Sequence, residues 1–398
     1  MRHLRAAAAA VALALGALVL SLAPAPPARA GDFRAFVEGL WPAAQGRNVS
    51  RATFDAAFRG VTPDPAVLAR LRRQGEFGRP VWEYLTGAVS GGRIARGRAE
   101  AARRADTLAA IEARYGVPGP VVLAFWGIES DFGASAGTLP VVRALATLAE
   151  AGHRGTLFRD ELLAALEILE HHDVKPERMR GSWAGAMGQT QFLPSAYLRA
   201  AVDFDGDGRR DIWDSAPDAL ASIASFLAQA GWRRDLPWGV AVTLPPDFDL
   251  ARYRAPFAEF ARRGVRALDG AALPEAGEAS LFLPGGAGGP AFLITANFEA
   301  IRAYNTSDAY ALAVGHLADR IAGGPALAAP WPTGPRLDQA GLTALQRALS
   351  ARSLYDGPFD GRAGPRLREA VRRYQIEAGL AADGYATPAL LEHLRGAH

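Results

Sequence analysis

Glu129 ends an apolar run. In VPGPVVLAFWGIESDFG (Val117–Gly133) every residue from Val121 to Ile128 is apolar, Gly127 apart, and the first charge is this carboxylate. A carboxyl that loses water has its pKa pushed upward, to where a general acid works near neutral pH. Taken alone, the same residue also reads as a glutamate at the wet end of a core helix. Asp131 follows two positions later, about 200° around a helix, so it is not expected to face the same substrate.

A second constellation is DFDGDGRRDIWD, Asp203–Asp214. Asp203, Asp205 and Asp207 take positions 1, 3 and 5 of an EF-hand loop, Gly208 the sharp turn at 6, Asp211 position 9 and Asp214 position 12. An aspartate where the full motif has a bidentate glutamate shortens the last ligand by one methylene. The oxygen-only set is expected to hold Ca²⁺ in a structural role, and no organic cofactor is expected. A third stretch, GSWAGAMGQTQFLPSAY (Gly181–Tyr197), mixes small residues with Ser182, Gln189, Thr190 and Gln191. Small side chains let backbone approach closely, and amides both donate and accept. It reads equally as the wall of a sugar site or as a tight packing turn. His153, His171 and His172 lack matching carboxylate spacing and read as a solvated helix end.

These groups need elements to hold them. Pro118 and Pro120 can open a helix, whose first turn has no use for the missing N–H groups. Upstream, Asp32 to about Gly116 reads as helical, with Phe33, Phe36, Val37 and Leu40 on one face. In QGEFGRPVWEYL (Gln74–Leu85), Phe77 and Trp82 read as core, while the hydroxyl of Tyr84 suits a cleft. Helices are expected over Leu139–Glu150, Thr156–His171, Ala219–Gly231 and Asn297–Ile321, the last containing Tyr304, Asn305 and Tyr310. Between about 233 and 296 the pattern turns to strands at Val240–Leu244, Leu281–Leu283 and Ala291–Ile294, with Gly285–Gly289 as a hairpin turn. A Pro/Gly/Ala stretch, Gly323–Pro335, marks a boundary. The expected organisation is one large domain over 31–324, a linker over 325–335 and a small helical module over 336–398. In that module Leu342, Leu345, Gln346 and Leu349 share one face, Val371, Tyr374 and Gln375 another, with turns at Asp356-Gly357 and Asp383-Gly384.

Met1–Ala30 reads as a secretory leader, with Arg2 and Arg5, an apolar run and an Ala28-Arg29-Ala30 cleavage site. Export to a periplasm is the expectation, without a stable membrane anchor. The chain has no cysteine, which excludes disulfides, thiolate metal sites and a lipid-bearing cysteine. Arg2, Arg5 and Arg29 leave with the leader, so 44 Lys and Arg become 41, against 41 Asp and Glu. That balance gives no case for nucleic acid.

GIESDFG, the small-residue block, the aspartate loop and the later Tyr304-Asn305 stand in the order that resembles the lytic murein transglycosylase B family. The C-terminal LQRALSARSLYDGPFDG and AVRRYQIEAGL resemble a small peptidoglycan-binding domain. The resemblance implies a mainly α, lysozyme-like catalytic core with a small antiparallel β insertion, followed by a three-helix binding module. It implies cleavage of the β-1,4 bond between MurNAc and GlcNAc of peptidoglycan, without net hydrolysis, leaving 1,6-anhydro-MurNAc ends. By matching positions, Glu129 corresponds to the acid/base. Ser182, Gln191, Tyr304, Asn305, Tyr84 and Tyr310 correspond to substrate-side residues. Asp203, Asp205, Asp207, Asp211 and Asp214 correspond to the metal loop, and the role of Gln189-Thr190 stays open.

Ordinary glycosidases place two carboxylates across the bond, whereas substrate-assisted ones borrow the sugar's acetamido group. One buried acid is then enough. A hydrolytic muramidase and a non-catalytic wall-binding protein are the competing expectations. Glycan strands are the expected partner, with wall-remodelling proteins as further candidates.

Overall fold

The computed structural model describes residues 30–73, 81–327 and 331–396. The leader expected over 1–30 (Ala30 apart), Phe77 and residues 328–330 of the expected linker lie outside the described residues. The chain divides into two compact units: one takes in residues 26–284 and 289–331, the other 332–398 with 285–288.

The larger unit is built around helix Gly119–Ser130. Pro118 precedes it and Pro120 lies in its first turn. Val122, Leu123, Ala124 and Phe125 are fully buried and Trp126 nearly so. Burying side chains of this size stabilises by about 1.5–3 kcal/mol each. Helices Gly91–Arg103, Ala105–Tyr115, Ala216–Gln229 and Asp308–Ile321 pack around it. A helix apolar all round is viable only with neighbours on every side.

The helix expected over Asn297–Ile321 is two, Ala296–Tyr304 and Asp308–Ile321. Asn305 is extended, and the Ser307 hydroxyl accepts the N–H of Tyr310 to start the second helix. Short polar side chains that satisfy backbone locally interrupt a helix without any glycine or proline. The break leaves Tyr304 as the last residue of one helix and Tyr310 in the first turn of the next. Helix Val141–Glu150 starts two residues later than expected, because Leu139–Pro140 pairs with Arg180–Gly181.

The β insertion is a five-stranded antiparallel sheet, ordered Arg254–Pro256, Glu278–Phe282, Ala291–Ile294, Gly239–Thr243, Arg266–Ala267. The expected hairpin is present, with Leu281 opposite Leu293. The two outer strands went unread because three and two residues are too short to show alternation. One side covers Phe257, Phe260 and Val265. Trp238, at the foot of the sheet, donates its indole N–H to Asp319 of helix Asp308–Ile321 at 3.1 Å. Burial pushes the Asp319 carboxyl up to about 7.

The C-terminal unit has helices Gln339–Ala351, Pro365–Glu377 and Pro388–Gly396 around Leu345, Leu349, Val371, Tyr374 and Leu391. Two buried glutamines do the same job in it. Gln346 donates to Asp360 and accepts from the N–H of Gly361; Gln375 donates to Asp383 and accepts from the N–H of Gly384. The first pinned turn is therefore Asp360-Gly361, not the expected Asp356-Gly357, because Gly361 is the glycine in the left-handed region.

Candidate active site

Glu129 sits one residue before the end of helix Gly119–Ser130. Its surface keeps a partly accessible edge, but protein surrounds the carboxyl, and burial raises its pKa to about 7 against the lowering effect of a hydrogen bond from Tyr310. Tyr310 is buried and donates its hydroxyl to Glu129 Oε1. Tyr84 is half-buried, and its phenol is pushed up to about 12, first by burial and then by the charge of Glu129. Tyr304 is raised for the same two reasons. Three phenols from three helices thus feel the charge of one carboxyl, and Tyr310 bonds to it. All three remain protonated donors where it titrates.

Phe125, one helical turn before Glu129, orders two of them: its ring lies 4.7 Å from that of Tyr304 and 6.0 Å from that of Tyr310. Tyr304 donates to the backbone carbonyl of Thr190 at 2.6 Å, so its hydroxyl is spent on the small-residue block. Asn305 is exposed at the break that follows. Trp82, expected in the core, is half-buried beside Trp331.

The helix ends in Asp131, Phe132 and Gly133, all left-handed. Two such non-glycine residues are costly, typically about 1–3 kcal/mol each. Asp131 is held by Arg96 at 2.6 Å with Arg93 at 3.8 Å, so its carboxylate is already paired. The Phe132 ring folds back onto Gly127, where an added Cβ would come within 2.7 Å of it. Gly127, the one glycine in the apolar run, makes that return possible.

The small-residue block is mainly a packing device. A Cβ on Gly188 would meet the carbonyl of Ile212 at 2.6 Å, and one on Gly181 the carbonyl of Ala186. The close backbone approach is thus to the protein itself. Ser182 Oγ accepts the N–H groups of Ala184 and Ala186, and keeps its own proton to donate. Gln191 has positive φ, and its amide NH₂ donates to the carbonyls of Ala136 and Gly188. Its amide oxygen is left as the acceptor it could offer a ligand.

In the aspartate loop the carboxylates that converge are Asp203, Asp205 and Asp218, with ligand atoms within 4.8 Å of one another. Asp218 was not anticipated: it lies four residues beyond the EF-hand window, in the first turn of helix Ala216–Gln229. It is fully buried and accepts the N–H groups of Phe204, Asp205 and Asp211. The readable signal was Ser215, a helix cap, followed by an acid in the first turn. Asp214 is instead paired with Arg178 and Asp207 with Arg209. Asp211 turns inward and accepts from Trp213 and Asp214. The loop is anchored by Arg210, which binds Asp173 at 2.6 Å and stacks over Tyr197. His171 contacts the same guanidinium at 3.3 Å, at the end of its helix.

The family model for the transglycosylase SLT domain matches residues 32–319, and that for a putative peptidoglycan binding domain matches 338–394. The chain belongs to the SLT transglycosylase family. Its catalytic unit has that family's lysozyme-like fold, and its C-terminal unit is a peptidoglycan-binding domain. The membrane-bound lytic murein transglycosylase B of Escherichia coli is 34% identical over 215 residues, which is 52% of this chain and 58% of that protein. The chain thus matches under two thirds of this curated relative. SltB3 from Pseudomonas aeruginosa, solved with NAG-anhNAM-pentapeptide, is 47% identical with a TM-score of 0.83, covering 91% of this chain and 99% of that one. The E. coli lytic transglycosylase Slt35, solved in complex with calcium, is 27% identical with a TM-score of 0.61, covering 74% and 94%. In this SLT-family chain no described helix is long and apolar enough to cross a membrane.

Proposed function

We propose that this chain is a lytic transglycosylase of peptidoglycan, acting in the periplasm on the β-1,4 bond between MurNAc and GlcNAc and leaving 1,6-anhydro-MurNAc ends. The observation that carries this reading is the desolvated carboxyl of Glu129, hydrogen-bonded by Tyr310, while the nearest acid in the chain, Asp131, is paired with two arginines. A pKa near 7 keeps a useful fraction protonated where the wall is built and turned over.

Glu129 first donates its proton to the glycosidic oxygen as the bond to C1 breaks. The muramoyl 2-acetamido group stabilises the positive centre that forms. Glu129, now a carboxylate, takes the proton from the C6 hydroxyl, whose oxygen closes onto C1. The proton lost in the first step is thus regained in the second, and no water is consumed. Tyr310 favours the carboxylate form and so assists the first half, in which Glu129 gives up its proton. The free O–H of Ser182, the amide oxygen of Gln191, exposed Asn305 and Tyr84 are the groups offered to the sugars. SltB3 is solved with both NAG-NAM-pentapeptide and NAG-anhNAM-pentapeptide, which supports an anhydro-forming reaction here. The C-terminal unit would hold the wall beside the catalytic one and raise the local concentration of strands.

Calcium suits the aspartate loop. Three carboxylates from two segments converge, all donors are oxygens, and like charges so close need a cation between them. Asp203, Asp205 and Asp218 would hold the ion, which would supply charge neutralisation to the loop and no chemistry. Calcium in Slt35 supports this.

The deciding experiment is digestion of purified sacculi with masses of the released muropeptides. Products lighter by one water than hydrolytic ones, and none from Glu129→Gln, are expected. Hydrated ends would favour a muramidase, and binding without release a wall-binding protein.

A further inference from the structure

Gln189 makes four hydrogen bonds from a nearly closed position, 7% exposed. Its Oε1 accepts the indole N–H of Trp126 at 2.9 Å, and its backbone oxygen accepts the Ser130 hydroxyl at 2.7 Å. Its amide NH₂ donates to the carbonyl of Trp213 at 2.9 Å, and its backbone N–H to that of Ile212 at 2.8 Å. Trp126 and Ser130 are four apart on the helix that carries Glu129, and so stand on one face of its last turn. Ile212 and Trp213 belong to the aspartate loop. One residue therefore joins the last turn of the catalytic helix to a rigid loop on the other side.

We propose that Gln189 is a positioning residue for Glu129: it fixes the rotation and depth of the helix end by holding Trp126 and Ser130 against the backbone of Ile212 and Trp213. The inference rests on the reading of Glu129 as acid and base. The chemistry asks for this side chain in particular. A buried indole N–H needs an acceptor and the Trp213 carbonyl needs a donor, and one amide supplies both. An apolar replacement orphans the two groups together. The adjoining turn is strained at Asp131 and Phe132, so it holds its shape only while its surroundings over-determine it. Proton transfer to a glycosidic oxygen is sensitive to displacement, and a shift of about 1 Å can cost about a hundredfold in rate.

Two variants test it, Gln189→Leu, which removes both side-chain bonds, and Ser130→Ala, which removes only the hydroxyl and is the milder lesion should the first not fold. Full-length protein is assayed for kcat, KM and pH–rate profile on purified sacculi, with Tm measured in the same buffers. Gln189→Leu is expected to lower kcat at least tenfold with KM within twofold, and Ser130→Ala to lower it less. In both, the alkaline limb of the profile moves to lower pH, because water admitted to the helix end relieves the desolvation of Glu129. The other groups facing that carboxyl, Tyr84, Tyr304 and Tyr310, come from separate helices, and Arg93 and Arg96 engage Asp131 beyond the turn. Variants that keep the wild-type kcat and limb, whether or not Tm falls, overturn the proposal. An active Glu129→Gln would overturn the catalytic reading instead, so the two failures are told apart.

Discussion

The Tyr310 hydroxyl donates to Glu129 Oε1, joining the first turn of helix Asp308–Ile321, just after a break that no glycine or proline announces, to the last turn of helix Gly119–Ser130. The bond favours the charged carboxylate, and burial favours the neutral acid. Burial has the larger effect, which is why the pKa lies near 7. The two opposing influences make separate, measurable contributions.

Tyr310→Phe removes the influence that lowers the pKa and leaves the burial. The pKa of Glu129 is expected to rise further, moving the alkaline limb of the pH–rate profile upward. Hydrogen bonds to charged groups contribute about 1.5–3 kcal/mol, so a shift of about one pH unit or more is expected. On the proposed mechanism a higher pKa makes Glu129 a weaker acid toward the glycosidic oxygen, so kcat should fall even as the limb moves. An unmoved limb would mean the phenol does not reach the carboxyl in solution.

Replacing Glu129 should stabilise the fold while abolishing activity. The folded pKa of Glu129, about 7, lies above the ordinary carboxyl value, so the folded state binds more protons through that window. Stability then falls as pH rises from about 4.5 through 7, since the native state must hold a poorly solvated charge. Asp319 acts in the same direction. Glu129→Gln abolishes the first contribution, and is expected to melt at a higher temperature than wild type at pH 8 while the difference shrinks at pH 4.5. Thermal melts at the two pH values check it, and equal melting at pH 8 would contradict the burial of this group.

Asp218→Asn keeps the shape of the buried carboxyl and removes its charge. One of its oxygens becomes an NH₂, so some of the three N–H groups it accepts lose their partner. A destabilisation of about 1–3 kcal/mol is expected. In the wild type, EDTA should lower Tm and Ca²⁺ restore it; in Asp218→Asn the Ca²⁺-dependent shift should be lost. Asp214→Asn should leave most of that shift in place, since Asp214 is spent on Arg178. The reverse ranking would return the last ligand to the twelfth position of the loop.

Several features were legible because they depend on near neighbours in the chain. The apolar run before Glu129 required a buried helix; Asp131 lies left-handed just past its end rather than on its far face, and is held there by Arg93 and Arg96. The hairpin of Leu281 and Leu293 followed from two short apolar runs around glycines. The break at Asn305 was not legible, because Tyr304, Asn305 and Tyr310 keep helical spacing and only the Ser307 cap interrupts it. The close approaches of Gly181 and Gly188 were visible as small residues, but composition does not say whether ligand or protein comes near.

By itself the sequence determined the helix that delivers Glu129, the hairpin and an acidic loop of EF-hand spacing, because periodicity, turn residues and residue spacing are local. Tertiary structure alone decided what surrounds the carboxyl. Tyr310 hydrogen-bonds it, Tyr84 and Tyr304 feel its charge from two other helices, Gln189 ties its helix to the aspartate loop, and Asp218 enters the carboxylate cluster from beyond the motif. Desolvation and hydrogen bonding between distant segments exist only once the core has closed, so no spacing along the chain encodes them.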